Sequence, residues 1–217
     1  MHGLGVEIYR RKSYLAFSWL VWGLAAAFYF SDYLARVAPG VMHRYLQIDF
    51  GINEEGFGIL TASFYIPYIF MQIPAGLTVD RLSIRWLFTV MSLITAFGCC
   101  VFGLAGGLFM GSIGRMLIGF SAAFAFVCSL RLATSWFPPT MLGLLAGLTQ
   151  ALGMLGAAAG EAPVSFLVSN VGWRHSMLII AFLFIVLAAL LYQFVQDKPG
   201  THRSEVHFVN RLSLLQS

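Results

Sequence analysis

The stretch GLTVDRLSIR, from Gly76 to Arg85, joins two long apolar runs and fits the pattern G-x-x-x-D-R-x-x-x-R at Gly76, Asp80, Arg81 and Arg85. Outward from it, the chain is 59% hydrophobic and only 10% charged over 217 residues. A soluble domain cannot bury that much apolar surface, so hydrocarbon must solvate most of it. The fold expected is all-α and membrane-embedded, because a helix satisfies its own backbone where no water is present.

A spanning helix needs about 20 mostly apolar residues. Six segments qualify: roughly Tyr14 to Tyr33 or beyond, Phe57–Val79, Trp86–Leu108, Gly111–Trp136, Met141–Val168 and Ser176–Phe194. Turn residues separate them at Pro39-Gly40, Asp80-Arg81, Gly106-Gly107, Pro138-Pro139 and Gly172. This divides the chain into an N-terminal segment (1–12), a six-helix bundle (13–196) and a tail (197–217). Arg10-Arg11-Lys12 ahead of an apolar run imitates a signal peptide, but the run continues and the first span is expected to be retained.

Charge is sorted along the chain. With the N-terminus inside, Arg10, Arg11, Lys12, Arg81, Arg85, Lys198, Arg203 and Arg211 fall on the inner side, against Arg44 and Arg174 outside. That asymmetry predicts cytoplasmic termini in a plasma (inner) membrane, and it reads the net charge of +4 as topology rather than as a nucleic-acid patch. Asn53-Glu54-Glu55 forms the polar start of the second span, with acids at its positive dipole end. Cys99, Cys100 and Cys128 lie in apolar runs, so neither a disulfide nor a metal site is expected, and no cofactor. No GxxxxGK[ST] loop is present to hold a nucleotide.

The loop motif has two readings. Gly76 permits close helix approach, Asp80 can cap the next helix and pair with a guanidinium, and Arg85 can reach a helix end or carboxylate of a neighbouring bundle. Together these make a charge latch. The bland alternative is an inner loop carrying positive-inside arginines.

Within the spans, Tyr29, Asp32, Tyr33 and Arg36 recur at i, i+3, i+4 and i+7, one stripe of a helix. A charge at the bilayer centre costs about 2.5–3.5 kcal/mol on insertion scales, so such residues line a pathway or pair with one another. Asp32 and Arg36 can neutralise each other at i, i+4, and Arg36 can also snorkel outward. In the fifth span Gln150, Met154, Ala157 and Glu161 share a stripe, while Gly143, Gly147, Gly156 and Gly160 form small-x-x-x-small pairs. Glu161 is the only carboxylate in spans four to six: a candidate proton carrier, a structural partner for an arginine, or a group near the outer surface. Arg85-Trp86 and Trp173-Arg174 open the third and sixth spans and hint at a 3+3 inverted repeat.

The loop motif in this position resembles the loop between the second and third spans of the major facilitator superfamily, and Arg115-x-x-x-Gly119 resembles its R-x-x-x-G element in the fourth span. The resemblance covers the whole chain and implies one half, the N-terminal bundle, of a secondary transporter working by alternating access, not an enzyme. Phe28-Tyr29-Phe30-Ser31-Asp32-Tyr33-Leu34-Ala35-Arg36 resembles the first span of organophosphate and organic-anion members. That implies a small anionic substrate, phosphorylated or carboxylate. Arg36 would be the anion contact, Tyr29, Tyr33 and Gln150 would shape the site, and Asp32 or Glu161 would couple protons. Asp80, Arg81 and Arg85 would gate the cytoplasmic side, and Arg115 and Gly119 would be structural or pathway residues. Val37 and Pro39 depart from the polar residues of those members.

A half bundle fits a truncated product, a half joined by a separate partner, or a self-associating copy. GMLGAAAGEAP resembles the glycine-rich element of drug/proton antiporters but lacks the proline after its central glycine. Ser121 and His175 superficially resemble a rhomboid-type protease pair, but no credible dyad joins them.

Overall fold

The computed structural model describes the backbone of residues 2–196 and the side chains of 16–196. Its helices are α1 (His2–Val41), α2 (His43–Phe50), α3 (Glu54–Arg81), α4 (Ile84–Gly103), α5 (Leu108–Trp136) and α6 (Leu142–Phe194), with a 3-10 turn at Pro139–Met141. Four helices among the described residues are long and apolar enough to cross a membrane: α3, α4, α5 and the 139–194 stretch containing α6. A straight helix of α6's 53 residues would reach about 80 Å, far beyond a hydrocarbon core of about 30 Å. The chain avoids this at Gly172, whose φ of 80° and ψ of 160° are non-helical and break α6 into arms 142–171 and 173–194. A side chain would strain that backbone.

Several boundaries differ from those read off the sequence. α1 continues through Pro39 to Val41 and already begins at His2, so neither Pro39-Gly40 nor the 12/13 boundary is a break. The stretch between Pro39-Gly40 and the second expected span contains α2. Asn53 does cap α3, its side chain accepting from the Gly56 N–H at 3.0 Å, with Glu54 and Glu55 in the first turn. Asp80 does not cap the next helix, because it lies inside α3; Ser83 caps α4 by accepting from Trp86 N–H. The tail 197–217, and the side chains of Arg10, Arg11 and Lys12, lie outside the described residues.

Packing follows the alternation of up and down helices: α3 lies on α5, α4 on α5 and α6, and α1 on α6. The first arm of α6 reaches α1 through glycines. A Cβ at Gly156 would lie 2.4 Å from the Phe30 carbonyl oxygen, and one at Gly153 would lie 2.5 Å from the Tyr29 ring. Gly143 and Gly147 have no neighbour within 4 Å, so their half of the small-residue pattern serves no described contact. The second arm packs on α4, where Ser92 Oγ donates to the Phe184 carbonyl at 2.7 Å. Phe28, fully buried at the centre, meets Phe88 and Phe184 edge-on at 5.6 and 5.8 Å.

The tightest approach joins α5 to α3. A Cβ at Gly119 would lie 2.0 Å from the Phe64 carbonyl oxygen, a backbone atom that cannot step aside. At the α2 end, Asp49 accepts from Trp173 Nε1 at 2.9 Å and pairs with Arg174, whose Nη2 donates to the Ala105 carbonyl at 3.2 Å. This clasp ties α2 and the α4–α5 turn to the residues just after Gly172.

Two predictions follow from this packing. Gly119→Leu should destabilise the purified chain by more than the roughly 1–3 kcal/mol typical of overpacking, whereas Gly143→Ala should leave its thermal melting unchanged. The bonds from Trp173 and Arg174 hold the Asp49 carboxyl below the usual carboxylate range. Their stabilisation is therefore present above the unfolded value of about 4 and lost as pH falls through the lower folded value. Asp49→Asn should lower the melting temperature slightly at neutral pH, and the gap to wild type should close in acid.

Candidate functional site

The α1 stripe faces the bundle interior and gathers partners from three other helices. Asp32 is fully buried, and Arg36 Nη2 stands 3.5 Å from its Oδ2. The Arg36 guanidinium does not snorkel: its side chain is 15% exposed and packs 4.4 Å from the Tyr33 ring and 4.9 Å from those of Phe64 and Tyr68 on α3. Tyr29 donates to Gln150 Oε1 at 2.8 Å, and Gln150 Nε2 donates to the Tyr33 hydroxyl at 3.4 Å, so α6 closes the other side.

Arg115 completes the cluster from α5. It is 1% exposed, and its Nη1 donates to the carbonyls of Ala35 at 3.4 Å and Arg36 at 3.3 Å. The reason lies in α1. Pro39 has no N–H, so the carbonyl of Ala35, four residues earlier, has no helical partner. Arg115 supplies the missing donor, and α1 continues through the proline instead of ending there. Arg115 thus holds α1. Its guanidinium also sits 4.8 Å from the Phe64 ring.

Not every donor and acceptor in this cluster is used. Arg36 Nε, Arg115 Nε and both Asp32 oxygens are buried without a hydrogen-bond partner. Two guanidiniums against one carboxylate leave one net positive charge. Such a site can take an anion, with ring faces fixing the Arg36 plane so that oxygens approach its edge.

Other residues singled out from the sequence lie apart. Glu161 is exposed on α6, so the burial that would set it up as a proton carrier is absent. At the opposite end from α2, Asp80 pairs with Arg131 Nε at 3.7 Å, Arg85 stacks 4.1 Å from the Tyr192 ring, and Arg81 is exposed. Gly76 has no neighbour within 4 Å, so it makes no close helix approach among the described residues. Ser121 is 2.6 Å from Thr95 Oγ1, while the His175 ring sits 3.1 Å from the Val171 carbonyl; nothing joins them as nucleophile and base. The sequence reading did not bring Phe64 and Tyr68 to this cluster; their i, i+4 spacing is the available signal for a shared face.

Known proteins are similar to this chain in sequence and in the arrangement of helices. The chain is 26% identical over 183 residues to the probable sulfoacetate transporter SauU of Cupriavidus necator, covering 84% of this chain and 43% of that protein. It is 27% identical over 169 residues to the hexuronate transporter of Bacillus subtilis, covering 77% and 40%. A bacterial homolog of the human lysosomal transporter Spinster, solved inward-facing and unoccupied, superposes with a TM-score of 0.76 at 17% identity, covering 84% of this chain and 44% of that one. The chain spans less than half the length of the relatives it matches. Residues 21–215 match the Major Facilitator Superfamily, and with an all-helical, lipid-compatible bundle in the same arrangement this chain belongs to that superfamily as an integral membrane protein.

Proposed function

We propose that this chain forms the N-terminal six-helix half of a secondary transporter for small organic anions, with Arg36 as the anion contact. The observation that carries this reading is the largely enclosed Arg36 guanidinium, seated against three rings in a cluster with one net positive charge. A carboxylate neutralises that charge and matches the guanidinium edge. The names of the relatives, sulfoacetate and hexuronate transporters, support a carboxylate or sulfonate substrate over a phosphorylated one.

Six spans result when α1 and the two arms of α6 are counted with α3, α4 and α5. The Arg85-Trp86 and Trp173-Arg174 pairs start helices at opposite ends of the bundle, as units of a 3+3 inverted repeat would. Positive charge on the inner side supports cytoplasmic termini in a plasma (inner) membrane. A second six-helix half, or a second copy, would complete the pathway.

Coupling follows from competition for one guanidinium. Asp32 and the anion compete for Arg36, and an anion that takes the guanidinium strips Asp32 of its partner at 3.5 Å. The displaced carboxyl then holds a proton, so anion and proton move together through alternating access. Asp32 is a better candidate than the exposed Glu161. Tyr29, Tyr33 and Gln150 shape the site, and Asp80, Arg81 and Arg85 form the inner gate.

Arg36→Lys keeps the charge and loses the planar fork. Uptake of labelled glucuronate into proteoliposomes, with the chain alone or with a co-expressed second half, should fall about tenfold or more, the loss expected for one charge-assisted hydrogen bond. Undiminished uptake would remove Arg36 as the contact. Asp80→Asn breaks the Arg131 pair, and cysteine-accessibility labelling should then shift between inward- and outward-open states; identical labelling would leave residues 76–85 as topology alone.

A further inference from the structure

We infer that Phe64 is a positioning residue for the anion site: one buried ring shared by two guanidiniums, holding Arg36 and Arg115 in a proximity that their like charge opposes. This rests on the anion-site reading above and gives Phe64, one of the three rings around Arg36, a second role in it. Phe64 is fully buried, with its ring centroid 4.9 Å from the Arg36 guanidinium carbon and 4.8 Å from that of Arg115. Both distances fall within the roughly 6 Å over which a cation is drawn to an aromatic face. Among the described residues Phe64 is the one ring that meets both arginines; Tyr33 and Tyr68 meet Arg36 alone.

The electrostatics require such a group. The single carboxylate of the cluster, Asp32, forms its ion pair with Arg36, and Arg115 has backbone carbonyls instead. Low surrounding dielectric strengthens the repulsion between the two cations. An aromatic face presents negative potential to each of them without adding a net charge. An aliphatic side chain would fill the same space without that compensation. A second carboxylate would cancel the positive charge that an anionic substrate needs.

The backbone explains why the ring is where it is. Gly119 lets α5 seat directly on the Phe64 carbonyl, where any Cβ would lie 2.0 Å from that oxygen. Arg115 is one helical turn earlier on the same face of α5, so its side chain lies over the ring of the residue whose backbone Gly119 contacts. The two defined positions of Arg115-x-x-x-Gly119 thus act on one partner. The glycine fixes the height of Phe64, and the arginine uses its ring.

The test reads Arg36 directly in the purified full chain. Arginine modification by phenylglyoxal, mapped by peptide mass spectrometry, reports how firmly the guanidinium is held, without requiring transport. Incorporating a trifluorinated phenylalanine at position 64 weakens the ring's negative face at nearly constant volume, a change that a space-filling role would not register. Arg36 should then react about three- to tenfold faster, the range that one cation–π contact supports. Phe64→Leu should behave the same way, and Phe64→Tyr should restore the wild-type rate. A fluorinated chain with the wild-type rate overturns the inference and leaves Phe64 as packing. Glucuronate added to the wild-type chain tests the underlying reading separately. Protection of Arg36 supports the anion site; ring-dependent reactivity without protection keeps the Phe64 role and sinks the anion reading.

Discussion

Pro39 withdraws a hydrogen-bond donor from α1, and Arg115 of α5 replaces it at the carbonyl of Ala35. Most of the interior arrangement depends on this exchange. In hydrocarbon a lone carbonyl would have no water to turn to, so a donor must come from within the bundle. Because that donor is an arginine, satisfying the backbone also places a second positive charge beside Arg36 and Asp32. α1 runs on past Pro39 to Val41, and Arg36 stays within the bundle instead of at a helix end.

Holding three charged groups there demands close packing. Charges at membrane depth carry a cost of several kcal/mol each unless paired or enclosed. Enclosure comes from the rings of Tyr33, Phe64 and Tyr68, and the rings are brought in by helices that touch backbone to backbone. Gly119 allows this between α5 and α3, and Gly156 between α6 and α1. Small residues and buried charges are thus two aspects of one solution.

The two ends of the bundle are fastened differently. Around α2, Asp49 gathers Trp173 and Arg174, and the clasp secures the chain directly after its break at Gly172. At the other end, the Asp80–Arg131 pair is long and Asp80 largely solvent-facing, with Arg81 free on the surface. Exposed ion pairs of that kind contribute about 0–1 kcal/mol, so little of the bundle's stability rests on this one.

Composition and hydrophobic run length were enough to establish a helical, lipid-solvated chain, because the apolar fraction leaves no other solvent for it. The loop motif and the R-x-x-x-G element were enough to point to the superfamily. The stripe of Tyr29, Asp32, Tyr33 and Arg36 was legible as well, since helical periodicity alone puts those residues on one face. Other assignments failed because they depend on neighbours distant in the chain. Asp80 was read as a cap, yet α3 extends past it and Ser83 takes that role. Glu161 shares a stripe with Gln150, yet Gln150 meets two tyrosines and Glu161 lies exposed on α6. Gly147 and Gly156 look alike in sequence, and α1 approaches only the second. Periodicity assigns a residue to a face; which helix covers that face, and how closely, is set by packing. For that reason the partnership of Pro39 with Arg115, and the ring of Phe64 between two arginines, existed only once the helices were brought together.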